Sequence, residues 1–282
     1  MRFFRPTLAA ALASAQAFGG ELGPFVLHHV ANGNSWKITP WGPTLHLPTG
    51  WKVLGVDVSI SQHVLMMLMA AVVLTGLLLL GARRRGLAPA GKLGHIAEAL
   101  VVFIRDEAVK PNLGEKETPR WLPFFLTLFT FLLTLNLIGL IPGFAAATSN
   151  INFTAALAIL IFLIYNFSGI GRHGIGHYLA NLVPKGIPIV VLPLVAVIEF
   201  LGLFTKAFAL AIRLFANMTA GHVLILSLLG LIAMFKSYWV APPFLGFTLF
   251  IYLIEILVAF LQAYVFTLLS SLFVGMALNP EH

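Results

Sequence analysis

Residues 187–235 read IPIVVLPLVAVIEFLGLFTKAFALAIRLFANMTAGHVLILSLLGLIAMF, an almost uninterrupted apolar run of 49 residues that indicates the architecture of the chain. It is more than twice as long as the roughly 20 apolar residues that a helix needs to cross a bilayer. Residues 243–278 form a second run, of 36 residues with the same character. We predict two long membrane helices, each strongly tilted, broken or lying along the membrane midplane. The short break between the runs predicts an antiparallel helical hairpin over residues 187–278.

The composition of the whole chain is that of a membrane protein. Of its 282 residues, 59% are hydrophobic and 10% are charged, whereas a soluble globular protein has about 25% charged residues. This balance excludes an ordinary cytosolic enzyme, a DNA-binding module and a disordered protein. The chain has no cysteine, which excludes disulfides, thiolate nucleophiles and Cys metal sites. We interpret the net charge of +7 as topology bias and not as a signal for nucleic acid.

Three further apolar stretches, at residues 60–82, 122–141 and 153–170, have the length of single crossings. Between the first two, residues 92–118 combine charges with helically spaced apolar residues, which predicts an amphipathic helix at the membrane interface. We therefore predict an all-α polytopic membrane protein. Its membrane domain, residues 58–282, would contain about five to six membrane helices, of which the last two are long and strongly tilted.

The segments outside these spans are polar or rich in turn residues. Residues 1–57 are predicted to be extramembrane, and Gly, Pro and Trp in residues 21–57 indicate short strands or turns, for example at Lys37 and at residues 51–53. Residues 1–17 resemble a signal peptide, and an uncleaved, weakly apolar tail is the alternative. A loop is predicted at residues 171–186.

Lysine and arginine counts predict the orientation. Residues 83–120 carry eight of these residues, residues 142–152 carry none, and residues 171–186 carry two. With five crossings, this distribution places the N-terminal segment outside. The loop at 83–120 and the C-terminus are then inside.

Charged residues inside the two long runs are the candidates for chemistry, because a charge at the bilayer centre costs roughly 2.5–3.5 kcal/mol on insertion scales. Glu199, Lys206 and Arg213 are seven residues apart, so they share one stripe of a helix. Lys206 can pair with Glu199 more easily than Arg213 can, since about 21 Å of helix separates Glu199 from Arg213. Arginine keeps its charge where lysine can lose a proton. Arg213 therefore needs a partner outside its own helix.

The surroundings of Arg213 suggest close contact with another helix. Asn217 follows one turn later, and Ala220 and Gly221 are small enough to let a neighbouring backbone approach. We expect a buried carboxylate on another subunit as the partner of Arg213. An intrachain pair with Glu255 is the alternative.

His222 projects from the side of the helix opposite to Arg213, nine residues away. An antiparallel hairpin brings it towards Glu255, and a histidine beside a carboxylate in a membrane is suited to proton relay. The alternative is a buried polar pair that only fixes the hairpin. Gln262 shares the face of Glu255, seven residues on, and is expected to bond Arg213 or to line an aqueous path.

Other polar residues are weaker candidates. Asn136 is expected to form an interhelix bond or to line a channel, and His63 is expected at the membrane interface. His173 and His177 have no third ligand nearby, so a solvated loop is expected there and not a metal site. The chain has no phosphate-binding loop and no zinc protease motif, and we predict neither cofactor nor metal.

The segment RLFANMTAGH at residues 213–222 resembles the signature of subunit a of F-type ATP synthases. Glu255 with LQAYVF at residues 261–266, and NLIGLIP at residues 136–142, are similar to the same family at the expected spacing. The resemblance covers about residues 58–278. It implies a stator subunit that conducts protons past a rotating ring of c subunits, with the long helices wrapped against that ring.

The resemblance also implies roles. The subunit is non-catalytic and has no cofactor, and it offers two offset half-channels that couple proton flow to ring rotation and ATP synthesis. Arg213 would face the c-ring carboxylates and block direct passage of protons. His222 and Glu255 would relay protons from the outside, while Glu199 would line the inner half-channel. Proton translocation is thereby assigned to seven residues: Glu199, Lys206, Arg213, Asn217, His222, Glu255 and Gln262.

The implied partners are the c ring, the b subunits of the peripheral stalk, the soluble ATPase head and membrane lipid, without nucleic acid. The implied location is the bacterial inner membrane as a multi-pass protein, with the mitochondrial inner membrane as the alternative. The other functions considered are a secondary transporter or ion channel with an intramembrane anion or proton site, an intramembrane enzyme, and a structural anchor. The absence of internal repeats disfavours the transporter.

Overall fold

The computed structural model describes Gly33, Ser59 and residues 35–37, 44–48, 52–53, 56–57, 61–81, 84–85, 88–89, 91–141, 144–181, 191–235 and 241–279. Helices dominate this part of the chain, which confirms the prediction of an all-α membrane protein. The signal-like residues 1–17 lie outside the described residues.

Short strands occur before and after the first helix. They form three antiparallel pairs in the described residues: β1 (Ser35–Lys37) with β2 (Thr44–His46), β3 (Lys52–Val53) with β4 (Val56–Asp57), and β5 (Arg84–Arg85) with β6 (Ala88–Pro89). The first two pairs confirm the short strands predicted near Lys37 and Lys52. Pairs of this length have too few bonds to form a core of their own.

The helices of the described residues are α1 (Gln62–Gly81), α2 (Gly91–Ile104), α3 (Lys110–Leu113), α4 (Thr118–Gly139), α5 (Ile151–His173), α6 (Ile175–Asn181), α7 (Leu192–Phe235) and α8 (Ala241–Leu278). Five of them, α1, α4, α5, α7 and α8, are long and apolar enough to cross a membrane. The three predicted single crossings correspond to α1, α4 and α5. The chain is therefore a multi-pass membrane protein.

The two long runs each form one continuous helix. α7 has 44 residues and α8 has 38, which correspond to about 66 Å and 57 Å at the rise of an α-helix. Both lengths exceed the roughly 30 Å of a bilayer core, so the predicted tilt or midplane path is needed and the broken-helix alternative is wrong. Gly221 of α7 contacts Glu255 of α8. Gly221 and Glu255 are each 17 residues from position 238, which lies between α7 and α8 in the sequence. Such equal distances are expected for residues that meet in an antiparallel hairpin.

The predicted interfacial segment is helical, but it ends before residue 118. α2 continues into a π-helix, Arg105–Val109, and then into α3, which ends where Gly114 adopts a φ of 81°. The Ala108 carbonyl accepts hydrogen bonds of 2.7 Å from both Asn112 Nδ2 and Ser271 Oγ of α8. These bonds hold the π-helix, a local departure that needs such support, against the last helix.

The predicted loop at residues 171–186 is wrong in its first part. α5 continues to His173, Gly174 adopts a φ of 77°, and α6 follows directly. Packing explains the short helix: the Tyr178 ring lies against Gly169, and its hydroxyl donates to Asn166 Oδ1 at 3.0 Å. His173, expected in a solvated loop, lies in α5, with Nε2 3.0 Å from the Leu278 carbonyl oxygen.

The chain divides into two compact units. Among the described residues, the first unit comprises those within 1–70, 135–150 and 215–260, and the second comprises those within 71–134, 151–214 and 261–282. The core of the second unit contains large side chains, among them Ile104, Phe125, Phe129, Ile161 and Phe266. The core of the first unit mixes apolar residues such as Met66, Met218 and Ile225 with buried polar side chains, and it is the unit that holds the candidate site.

Candidate functional site

The first unit concentrates buried polar atoms that have no hydrogen-bond partner among the described residues. They belong to six side chains, here called the polar cluster: His63, Asn136, Thr148, Thr219, His222 and Glu255. The described part of the second unit contributes one such atom, Trp121 Nε1. Buried polar groups almost always bond to protein or to ordered water. The polar cluster therefore marks a zone that is suited to hold water inside an otherwise apolar protein.

Glu255 is the anionic residue of the polar cluster. It lies on α8, is 8% exposed, and has a carboxylate oxygen, Oε2, without a partner among the described residues. Its carboxyl group lies directly against the backbone of Gly221, where a Cβ atom would collide with Oε1, Cδ and Oε2 together. Only glycine at position 221 leaves room for this carboxyl group. The small residues after Arg213 were expected to admit another helix, and at Gly221 that helix is α8 of the same chain.

Two hydrogen bonds fix the part of α8 around Glu255 to the end of α4. The Tyr252 hydroxyl donates to the Leu140 carbonyl at 2.7 Å, and Asn136 Nδ2 donates to the Ala259 carbonyl at 3.1 Å. Tyr252 and Ala259 lie about one turn before and one turn after Glu255, so the bonds bracket its side chain. Asn136 thus forms the predicted interhelix bond, while its Oδ1 atom stays buried and unpartnered in the described structure.

His222 borders the same zone from α7. Its Nε2 atom is buried without a partner among the described residues and lies 3.8 Å from the position that a Cβ atom on Gly139 would occupy. Gly139 also packs against Ala146, whose Cβ atom is 2.9 Å from that position. The structure therefore brings His222 and Glu255 into one unit, as predicted. They meet through adjacent Gly221, and neither His222 Nε2 nor Glu255 Oε2 is bonded to the other.

His63, which is expected at the membrane interface, is buried within the first unit. It lies on the first turn of α1, beside the backbone of Ala146, with 2% of its surface exposed. The Ala146 backbone is within reach of the ring, but neither ring nitrogen makes a well-formed hydrogen bond in the described structure. Met66 and Ala70, one and two turns later, are buried on the same face. The helical spacing of these residues is present in the sequence. Because α1 is apolar on all sides, however, the sequence does not indicate which of its faces is buried.

Arg213 lies on an exposed face of α7 in the second unit. Its guanidinium has neither an ion pair nor a hydrogen bond within the part of the chain that the structure describes. The neighbours that share this exposed face are mostly small: Ala209, Ala216, Asn217 and Ala220. Leu210, Leu214 and Met218 on the other side are buried. The arrangement presents a cation on an exposed helix face with small neighbours, and both predicted partners of Arg213, a carboxylate on another subunit and Glu255, stay predictions.

The remaining predicted residues lie in the second unit. Lys206 Nζ is 5.7 Å from the centre of the Phe273 ring, a cation–π distance, and the described structure has no Glu199–Lys206 ion pair. Glu199 is half-buried. Gln262 is 5% exposed on α8. Of the predicted residues, Asn217, His222 and Glu255 thus belong to the first unit, and the second unit holds Glu199, Lys206, Arg213 and Gln262.

Comparison of the amino-acid sequence with known protein families gives evidence that is independent of the structure. A family model described as ATP synthase A chain matches residues 64–275, about three quarters of the chain. The chain belongs to this family. The match begins one residue after His63 and includes the other five members of the polar cluster. It also includes Glu199, Lys206, Arg213, Asn217 and Gln262.

Individual members of the ATP synthase A chain family are similar over most of their length. The chain is 51% identical over 261 residues to ATP synthase subunit a of Chloroherpeton thalassium, which covers 90% of this chain and 77% of that relative. It is 45% identical over 280 residues to ATP synthase subunit a 2 of Prosthecochloris aestuarii, with 95% and 84% covered. Identity to ATP synthase subunit a of Anaeromyxobacter dehalogenans is 42% over 291 residues, with 96% and 76% covered. These relatives are bacterial.

Proposed function

We propose that this chain is the non-catalytic proton-conducting stator subunit of an F-type ATP synthase in the bacterial inner membrane. Protons would pass through two offset half-channels and drive a ring of c subunits. The observation that carries the proposal is the buried Glu255 within the polar cluster, on a helix long enough to span the membrane. Ionisable residues within membrane helices are costly and mark ion pathways. Family membership supports the same function.

The first unit supplies the features of an outer half-channel. Proton transfer requires donor and acceptor within hydrogen-bond reach, or one water between them. His222 Nε2 and Glu255 Oε2 are both buried and unpartnered in the described structure, so both can bond to such a water. In the proposed path a proton passes from the outside to His222, then to Glu255, and then to a carboxylate on the c ring. Asn136 Oδ1 and Thr219 Oγ1 add acceptors for water along this path.

Arg213 is proposed to face the ring. Its exposed position among alanines supports close passage of another helix, and the absence of an ion pair in the described structure leaves its charge available to a ring carboxylate. A fixed cation favours the ionised carboxylate, so the proton leaves when a protonated ring site arrives. The same charge repels protons that would otherwise move directly between the half-channels. Asn217, one turn along this face, is proposed to contribute to it.

The second unit is proposed to provide the inner half-channel. Glu199 and Lys206 lie on α7 four and two turns from Arg213, on the same stripe. Gln262 is proposed to lie opposite Arg213 in the hairpin. The contact between Gly221 and Glu255 is centred on position 238, and Arg213 and Gln262 are centred on nearly the same position. Each proton that crosses the membrane potential releases about 2.3 kcal/mol per 100 mV. Several protons per ATP are therefore required, which is the reason for a rotating ring.

The proposed partners follow from this arrangement. The c ring would contact the exposed face around Arg213, while b subunits of a peripheral stalk would hold the chain still relative to the soluble ATPase head. Synthesis of ATP would occur on that head, so the chain itself would need no nucleotide. Purification of the chain from its membrane should therefore bring a ring of small hairpin subunits and a soluble ATPase with it.

The test of the proposal is Arg213→Ala in the complete complex, reconstituted in liposomes. Loss of ATP-driven proton pumping is expected, because the ring carboxylate is no longer discharged at the stator. Arg120→Ala, an exposed arginine at the start of α4, is the matched control and should keep normal pumping. Pumping by the Arg213→Ala complex at the rate of the control would refute the role of Arg213.

A further inference from the structure

His63 is a buried titratable side chain of the polar cluster that the path through His222 and Glu255 leaves unused. It is 2% exposed, and both ring nitrogens lack a hydrogen-bond partner among the described residues. Burial of two polar nitrogens without partners costs stability. A side chain with only a packing role on the first turn of α1 would avoid this cost by being apolar. The Ala146 backbone lies within reach of the ring, but neither nitrogen makes a well-formed bond to it, so a water is suited to complete the hydrogen bonding of the imidazole.

Contacts within the first unit connect His63 to the proposed relay. His63 lies beside the backbone of Ala146. Ala146 packs on Gly139, at 2.9 Å from the position of an added Cβ atom, and the same position is 3.8 Å from His222 Nε2. His63 and His222 thus both lie next to the contact between Gly139 and Ala146, His63 on the side of Ala146 and His222 on the side of Gly139. Gly139 and Ala146 pack tightly there and place no bulky side chain at the contact, which keeps the path between the two imidazole rings short.

Thr148 is a further buried polar residue, close to Ala146 in the chain. Its hydroxyl oxygen is buried and unpartnered in the described structure, and it lies two residues after Ala146 in the short 3-10 helix Ala147–Ser149. A water between His63 and His222 needs two to four polar partners. The ring nitrogens and this hydroxyl are the available groups on the side of His63.

We propose that His63 is a further proton-transfer group, placed between the outside and His222, so that the relay consists of His63, His222 and Glu255. This inference rests on the proposed function. A hydronium ion that arrives through water on the outer side gives its proton to one ring nitrogen, which leaves a water and makes the ring cationic. The proton on the other nitrogen then passes to the water that leads to His222, and the ring is neutral again. The proton now sits on the nitrogen that received it. Rotation of the imidazole ring, or return of the proton to the other ring nitrogen, prepares His63 for the next transfer.

Two features of the chain suit this role. Both ring nitrogens of His63 are unpartnered among the described residues, and transfer through an imidazole requires one nitrogen to receive and the other to release the proton. His63 also lies at the N-terminal end of α1, which the lysine and arginine counts place on the outer side of the membrane.

The experiment compares His63→Gln with His95→Gln in the complete ATP synthase in liposomes. Proton flux is measured with a pH-sensitive dye, driven by ATP in one series and by a potassium gradient with valinomycin in the other. Glutamine retains hydrogen-bonding capacity but does not exchange protons as imidazole does. We expect His63→Gln to lower flux by about tenfold, below the usual 10²–10⁴ range for acid–base groups because water bypasses part of the step. His95 is exposed on α2, and its variant should be unchanged.

A second variant separates proton transfer from a structural role. His63→Ala leaves a space at the same place, and added imidazole should restore at least part of the lost flux. Flux at the wild-type level in His63→Gln would overturn the proposal, as would a loss in His63→Ala that imidazole does not restore.

Glu255→Gln in the same preparation distinguishes this inference from the proposed function. If Glu255→Gln abolishes flux while His63→Gln leaves it unchanged, His63 is not part of the relay and the proposed function stands. If Glu255→Gln also retains full flux, the proposed function is wrong and the role of His63 fails with it.

Discussion

Substitution of Gly221 by alanine should block proton flux while leaving the protein folded. An added Cβ atom would occupy the place of the Glu255 carboxyl group, with all three carboxyl atoms too close for any normal contact. The carboxyl group is the end of a flexible side chain, so it can move by about 1 Å or more, and a misplacement of that size in a reacting group can cost about 10²-fold in rate. We therefore expect about a hundredfold loss of flux.

The stability of the Gly221→Ala variant should change little. Overpacking costs about 1–3 kcal/mol, and replacement of a mid-helix glycine by alanine returns about 0.5–1 kcal/mol. The net loss is expected to be on the order of 1 kcal/mol, small enough for assembly of the complex. Co-purification of the other subunits measures assembly, and dye-monitored flux in liposomes measures function.

Gly246→Ala is the matched control. Gly246 lies on α8 in the same unit, nine residues before Glu255 and so on the opposite side of that helix, and an added Cβ atom there meets nothing within 4 Å. Its variant should assemble and conduct like the wild type. Equal flux in the Gly221→Ala and Gly246→Ala complexes would show that the position of the Glu255 carboxyl group does not matter for conduction.

Two further substitutions test the packing that positions the site. Tyr252→Phe removes the hydroxyl that bonds the Leu140 carbonyl at 2.7 Å, and it should lower stability by about 1–2 kcal/mol; unchanged thermal unfolding of the detergent-solubilised complex would contradict this. Gly275→Ala would drive a Cβ atom into the backbone carbonyl of Asn112, which cannot move as a side chain end can. We expect a loss of roughly 3 kcal/mol and poor recovery of the complex, whereas Gly76→Ala, with nothing within 4 Å, should be recovered normally.

The sequence predicts the long elements well, because apolar runs of that length are typical of membrane helices. α7 and α8 follow from two runs that exceed a single crossing, and the antiparallel hairpin follows from the short break between them. α6 was not predicted, since seven residues hold no clear pattern and the helix depends on Tyr178 packing against Gly169. The π-helix before α3 likewise depends on bonds to Ser271, far away in the chain.

The sequence indicates which residues are candidates for the site, but it does not indicate how they are arranged. Charges inside apolar runs identify Arg213 and Glu255, because a membrane helix carries such a costly group mainly where function requires it. The contact of Glu255 with Gly221 depends on how two helices meet, which residue spacing alone does not determine. The burial of His63 could not be predicted, because α1 is apolar around its whole circumference and the sequence contains no contrast between its buried and its lipid-facing sides.

The most direct test of proton conduction through the polar cluster is the flux of the Glu255→Gln complex in liposomes, beside Glu98→Gln. Glutamine retains the size and hydrogen bonds of the side chain but cannot take up and release the proton. Glu98 is exposed on α2 and serves as the control. We predict that Glu255→Gln abolishes or strongly reduces both ATP-driven and gradient-driven proton flux, while Glu98→Gln conducts normally. Full flux through a correctly assembled Glu255→Gln complex would contradict the account.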